Sequence, residues 1–203
     1  MLNRNSKIEI LYEHYEKSNN ICRENIRVRN KFYVLMMFIF VLQISIIGFE
    51  DSFASTLQKY LMLQHSIDIT IQYNLFSAFI WIIKLYIVIR YYQSLLSVEK
   101  NYEYLHEKEK ELEKNGIKEI NREGKSYLNN YELTLDIIHV VYQILSPAIC
   151  MILNIYCIYN DFVSGKITIL FLVNFICAFI IFIILISNFI SNIKKMFKHL
   201  LKT

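Results

Sequence analysis

A single proline and four glycines among 203 residues leave this chain few means of breaking a helix, because those residue types interrupt helical backbone at the greatest cost. The expectation is an almost wholly helical protein. The four cysteines, Cys22, Cys150, Cys157 and Cys177, form no CxxC pair; this argues against a zinc site or a disulfide scaffold and leaves them as small buried hydrophobes. There is no Gly-rich phosphate loop, GxSxG elbow or HExxH helix, and the five histidines are dispersed. No enzyme activity, metal or cofactor is therefore expected. A strong charge excess is missing too: +4 formally is too little to imply a nucleic-acid partner. No cleavable leader is expected either, since the first roughly thirty residues are polar, unlike a signal peptide.

What is abundant is apolar. Hydrophobic residues make up 55% of the chain and mean hydropathy is +0.31, values that point to a bilayer. The expected fold is an all-α membrane protein with four transmembrane helices, an N-terminal amphipathic helix over 1–31 and a cytosolic helical hairpin over 91–131. The first transmembrane hairpin covers 32–90, with its outer loop at 50–68. The second covers 132–193, and a basic tail, 194–203, follows. Within the first hairpin, Phe32 to Phe49 is the first span and holds Gln43. Phe53, Leu57, Tyr60, Leu61 and Leu63 of the outer loop read as a short interfacial helix. The second span, from about Ile69 to Ile89, contains Trp81 and Lys84. A lysine in a span points to function, but Lys84 is about 9 Å along the axis from Arg90. It is therefore expected to snorkel to the interface.

Charge gives the orientation. Seven Lys or Arg precede the first span, eight lie between Arg90 and Lys125 and four lie in the tail, while Lys59 and Lys166 stand alone in the other two connections. The positive-inside rule then puts both termini and the hairpin in the cytoplasm, at the inner membrane. The N-terminal helix ends in Arg23, Arg27, Arg29 and Lys31. It lies on anionic lipid or packs against the other cytosolic helices. Tyr91, Leu95, Val98, Tyr102, Leu105 and Leu112 keep a heptad seam beyond the second span. Asn115-Gly116 reads as the turn, and a limb with Ile117, Ile120, Tyr127 or Leu128, Tyr131 and Leu135 on its apolar side returns. Tyr102, Leu105, His106, Arg122 and Lys125 are the residues placed to dock a cytosolic protein partner. A bend at Gly124 would aim Arg122 and Lys125 at an anion, whereas a solvated Glu/Lys face needs no ligand.

The stretch from Glu132 to Cys157 carries the strongest signal. Glu132, Asp136, His139, Gln143, Ser146, Cys150, Asn154 and Cys157 recur at three- and four-residue intervals and so share one helix face. In a bilayer such a face turns toward protein or water. Pro147 cannot donate to the carbonyl of Gln143, so a peptide oxygen is freed on the polar row. Ser146 or a water would satisfy it, and the kink would suit a gate. Asp136 and His139 fall either at the cytoplasmic mouth of a path or at headgroup level. After an outer turn with Asn160, Asp161, Ser164 and Gly165, the fourth span, about Ile167 to Ile190, carries Asn174, Cys177, Asn188 and Ser191 on one face. The pore or gate candidates are thus Asp136, His139, Gln143, Ser146, Pro147, Asn154, Asn174 and Asn188.

The runs Leu11-Tyr12-Glu13-His14-Tyr15, Val98 to His106 and Arg122 to Tyr131 together resemble a family of bacterial four-span membrane proteins to which no activity is attached. The topology also resembles the small membrane subunits of some antiphage defence systems, whose oligomers act on the inner membrane. The second likeness implies an oligomer, and the aligned polar rows and the kink give the expectation that its cytosolic helices sense or dock a partner while its third and fourth spans respond by opening an ion path. A non-conducting anchor that recruits a soluble partner through the hairpin is the other expectation.

Overall fold

The computed structural model describes residues 4–48, 73–115, 140–164 and 169–200, and nearly all of them are helical. Helix α1 spans Arg4–Gly48 and α2 spans Tyr73–Lys114. Helix α3, Ser146–Ser164, is entered through a π-helical turn over Val141–Leu145, and α4 spans Ile169–Leu200. The expected loop helix at 50–68, Gly116 and the returning limb, with Arg122, Lys125, Glu132, Asp136 and His139, lie outside the described residues. The expected boundary near residue 31 is not a break, because α1 runs through it without interruption. Nothing at Asn30-Lys31-Phe32 is a helix breaker, so the change from charged to apolar sequence alters what the helix faces and leaves its backbone intact.

The chain divides into two compact units. One joins residues 1–33 to 90–139 and the other joins 34–89 to 140–203.

In the first unit, α1 and α2 pair through a narrow apolar seam of Tyr15, Cys22, Leu105 and Leu112, flanked by Leu11 and Ile26. Two contacts fix its register. Tyr15 Oη donates to Glu109 Oε1 at 2.9 Å, and the rings of Tyr33 and Tyr91 lie 5.7 Å apart. Eighteen residues separate the two contacts on each helix, so the helices are antiparallel and hold one register throughout. Of the seam expected on α2, Tyr91, Val98, Leu105 and Leu112 are buried while Tyr102 is 38% exposed. Glu109 occupies the same stripe and is buried. The Tyr15 hydroxyl and His106 Nδ1, 3.7 Å from Glu109 Oε2, offset its desolvation. Lys108, near the surface, donates to Glu111 at 2.8 Å, and that bond holds its ammonium above the ordinary pKa.

The second unit has an apolar exterior, and several polar side chains join the apolar residues of its core. Phe38, Phe79, Ile152 and Phe175 point outward, more than half exposed, while Gln43, Ser77, Lys84, Asn154, Asp161 and Asn174 are buried. Among the described residues, four helices are long and apolar enough to cross a membrane, and an apolar exterior with the polar side chains turned inward is what lipid as solvent demands. Helices α3 and α4 include apolar stretches of 23 residues, counting the π turn, and 26 residues. At 1.5 Å per residue these are about 35 and 39 Å long, enough for a hydrocarbon core of about 30 Å.

Candidate functional site

Each helix of the apolar unit brings inward a stripe that mixes polar with apolar side chains. On α2 the inward positions are Ser77, Trp81, Lys84 and Val88; on α3 they are Ser146, Cys150, Asn154, Cys157 and Asp161. Their four- and three-residue steps hold one face of a helix inward. The stripe on α3 is the row read from the sequence, continued one step further to Asp161.

Asp161 is the focus at one end. Its Oδ2 accepts Trp81 Nε1 at 2.7 Å and Asn174 Nδ2 at 2.8 Å, and Ser77 Oγ donates to Oδ1 and Oδ2 at 3.3 and 3.1 Å. Three donors from α2 and α4 thus converge on a carboxylate of α3. Asn174 Nδ2 also lies 3.1 Å from Ser77 Oγ, while its Oδ1 is buried and finds no hydrogen-bond partner.

One turn further along α2, Lys84 is fully buried. Its Nζ donates to Gln43 Oε1 at 2.7 Å and lies 3.7 Å from the centre of the Trp81 ring and 4.3 Å from that of Phe40. The snorkelling expected of Lys84 is therefore corrected: the ammonium turns into the bundle. A cation at mid-span costs about 2.5–3.5 kcal/mol on insertion scales. A desolvated cation–π contact returns about 2 kcal/mol, so two ring faces and an amide oxygen are enough to hold it inside. Trp81 serves both charged groups, through its N–H to Asp161 and its ring face to Lys84.

Toward the other end, Asn154 Nδ2 donates to the Ala178 carbonyl at 2.9 Å, and Asn154 Oδ1 is likewise buried without a partner. Ser146 Oγ lies 4.0 Å from Met37 Sδ. The carbonyl of Gln143, expected to be freed by Pro147, is taken up by Asn192 Nδ2 at 3.0 Å. Just before the proline, the Ser146 N–H bonds to the Val141 carbonyl, five residues back. The backbone thus accommodates Pro147 by widening one turn, a common device in membrane helices. From Asp161 to Gln143 the polar groups extend about 27 Å along α3, close to the thickness of the hydrocarbon core.

Among the other candidates, Asn188 is half-buried and Ser191 is exposed, whereas Asn192 is buried. The inward face of α4 steps four residues after Asn188, where the sequence reading stepped three. Leu105 is 1% exposed inside the seam, so the docking role expected of it is already occupied by an intramolecular contact. His106 is half-buried, and Tyr102 presents the most surface of the described docking candidates. Of the basic cluster, Arg23, Arg27 and Lys31 are exposed and Arg29 is half-buried. Beside them, Arg90 lies 5.6 Å from the Phe32 ring centre.

Sequence reasoning missed Asp161, Ser77 and Asn192. Asp161 follows Asn154 and Cys157 at seven and four residues, a signal that its neighbour Asn160 and the nearby Gly165 masked by suggesting a turn. Ser77 falls four residues before Trp81, on the same face.

These features define a multi-pass membrane protein with a helical bundle whose core encloses polar and charged side chains. Comparison with protein-family models, curated proteins and solved structures finds no match. The functional reading therefore rests on the residues themselves.

Proposed function

We propose that the chain is an inner-membrane, oligomeric protein whose bundle gates an ion path, with both termini and the charged helical pair on the cytoplasmic side. The observation that carries this reading is a column of buried polar groups, Asp161, Lys84, Asn154 and Ser146, interspersed with buried apolar side chains such as Ile181 and Leu185 and enclosed by apolar surface. Packing alone needs no buried lysine and aspartate in lipid, where such groups are costly and mark ion or proton routes. The column is shut in this conformation, since Lys84, Cys150 and Cys157 are fully buried. Opening requires a helix to move, and the π turn before Pro147 is the place where α3 has two backbone arrangements available. The cytosolic pair would set that movement by sensing a partner, as in an antiphage membrane effector. Flux from liposomes holding the purified chain tests the idea. Pro147→Ala and Gln143→Leu should each change it severalfold, and absence of flux in wild type and both variants would remove the channel.

A membrane anchor that recruits a soluble protein is the second reading. It is favoured by an open groove of about 260 Å³ in the charged unit, lined by Ile8, Ile10, Leu11, His14, Tyr104 and Lys108 among others. In that case Tyr104→Asp, in the wall of the groove, should abolish co-purification of the partner, while Gln143→Leu should leave it intact.

A further inference from the structure

We propose that Gln43, Trp81 and Phe40 form a monovalent-cation cage within the bundle and that Lys84 is a tethered cation filling it. The ammonium meets an amide oxygen at 2.7 Å and two aromatic faces at 3.7 and 4.3 Å. All three are groups that attract a cation through partial negative charge and require no carboxylate. Among the described residues no Asp or Glu lies within ion-pair distance of Lys84. The cage therefore has the chemistry that accepts a free ammonium or potassium ion, and a covalently held ammonium is its present occupant.

The surroundings point the same way. Among the described residues of the bundle, the buried side-chain atoms without a hydrogen-bond partner, Asn154 Oδ1 and Asn174 Oδ1, are oxygens. Each belongs to an amide whose nitrogen is already used. The bundle thus holds acceptor capacity to spare, which favours cations over anions. The Asp161 carboxylate, bound to the indole N–H, draws electron density toward the ring system that faces Lys84 and strengthens the same preference. With Lys84 in place, a second cation meets both an occupied site and a like charge. The plug role rests on the column being an ion path, but the cage itself does not.

Chemical rescue tests the cage. Lys84→Ala removes the side chain beyond Cβ, and propylammonium supplies the missing atoms. For the purified full-length variant in detergent, the unfolding temperature should rise saturably with propylammonium, while wild type should not respond and 1-propanol should not substitute. No rise, or an equal rise with 1-propanol, would overturn the cage. Should Lys84→Ala fail to fold, Gln43→Leu is compared in wild type and in Lys84→Met. Loss of stability only where the lysine is present supports the cage, and equal loss in both backgrounds overturns it. In liposomes, Lys84→Ala should pass potassium severalfold faster than wild type and be blocked by propylammonium. Thermal rescue without flux would keep the cage and contradict the ion path, whereas flux without thermal rescue would overturn the cage.

Discussion

The side-chain amide of Asn192 donates to the carbonyl of Gln143 at 3.0 Å, and that carbonyl is the oxygen Pro147 leaves without its helical N–H. A residue of α4 thereby completes the backbone of α3. The two helices share one hydrogen bond at the only turn where the backbone of α3 departs from α-helical geometry among the described residues.

This bond predicts a coupling. Asn192→Leu leaves the Gln143 oxygen unsatisfied and should cost about 0.6–2 kcal/mol of bundle stability. In a Pro147→Ala background the N–H of residue 147 is restored, and the same substitution should cost markedly less. Unfolding of the four proteins in mixed micelles measures the difference, and equal costs in both backgrounds would dissociate Asn192 from the proline.

A second prediction concerns the charged unit. Tyr15→Phe removes a donor from the buried Glu109 and should destabilise the α1–α2 pair by about 1–3 kcal/mol. Glu109→Leu added to Tyr15→Phe should recover much of that loss, because an apolar pair leaves nothing unsatisfied. Hydrogen exchange across 8–30 and 95–112 provides the readout, with faster exchange in the single variant only.

The seam separates two substitutions that the sequence alone treats as equals. Leu105→Asp puts a charge in a position that is 1% exposed, and the pair should open, with protease cutting near residue 105. Tyr102→Asp lies on the surface and should leave the protease pattern unchanged while testing docking.

Orientation is predicted by charge. A fluorescent-protein fusion after Thr203 should be bright and a periplasm-dependent phosphatase fused there should be inactive. An active phosphatase would reverse the proposed topology.

Much of this architecture is legible in the sequence because lipid imposes simple rules. Apolar runs of sufficient length gave the spans, and three- and four-residue spacing gave the inward face of α3 through Ser146, Cys150, Asn154 and Cys157. The chemistry of proline foretold the freed Gln143 oxygen. What escaped were relations between helices. The distance from Lys84 to Arg90 is readable along one helix, whereas Gln43 and Phe40 reach Lys84 from another. Asp161 was hidden for a similar reason: a carboxylate near a helix end looks like a solvated loop residue until Trp81, Ser77 and Asn174 are seen to converge on it. Asn192 was displaced from the expected row by one residue, which rotates a side chain about 100° around the axis.

The proposed function requires that the buried polar groups of the bundle serve ions and are more than packing glue. Its most direct test is to measure ion flux and thermal stability together in liposomes for wild type, Asn154→Leu and the lipid-facing control Ile152→Leu. Wild type and the control should both show a small basal flux, carried by the minor open state of the closed and lysine-filled bundle, and Asn154→Leu should lose it, with stability of that variant retained to within about 1–2 kcal/mol, the scale of one membrane hydrogen bond. Equal flux in all three proteins, or none in any of them, would contradict it.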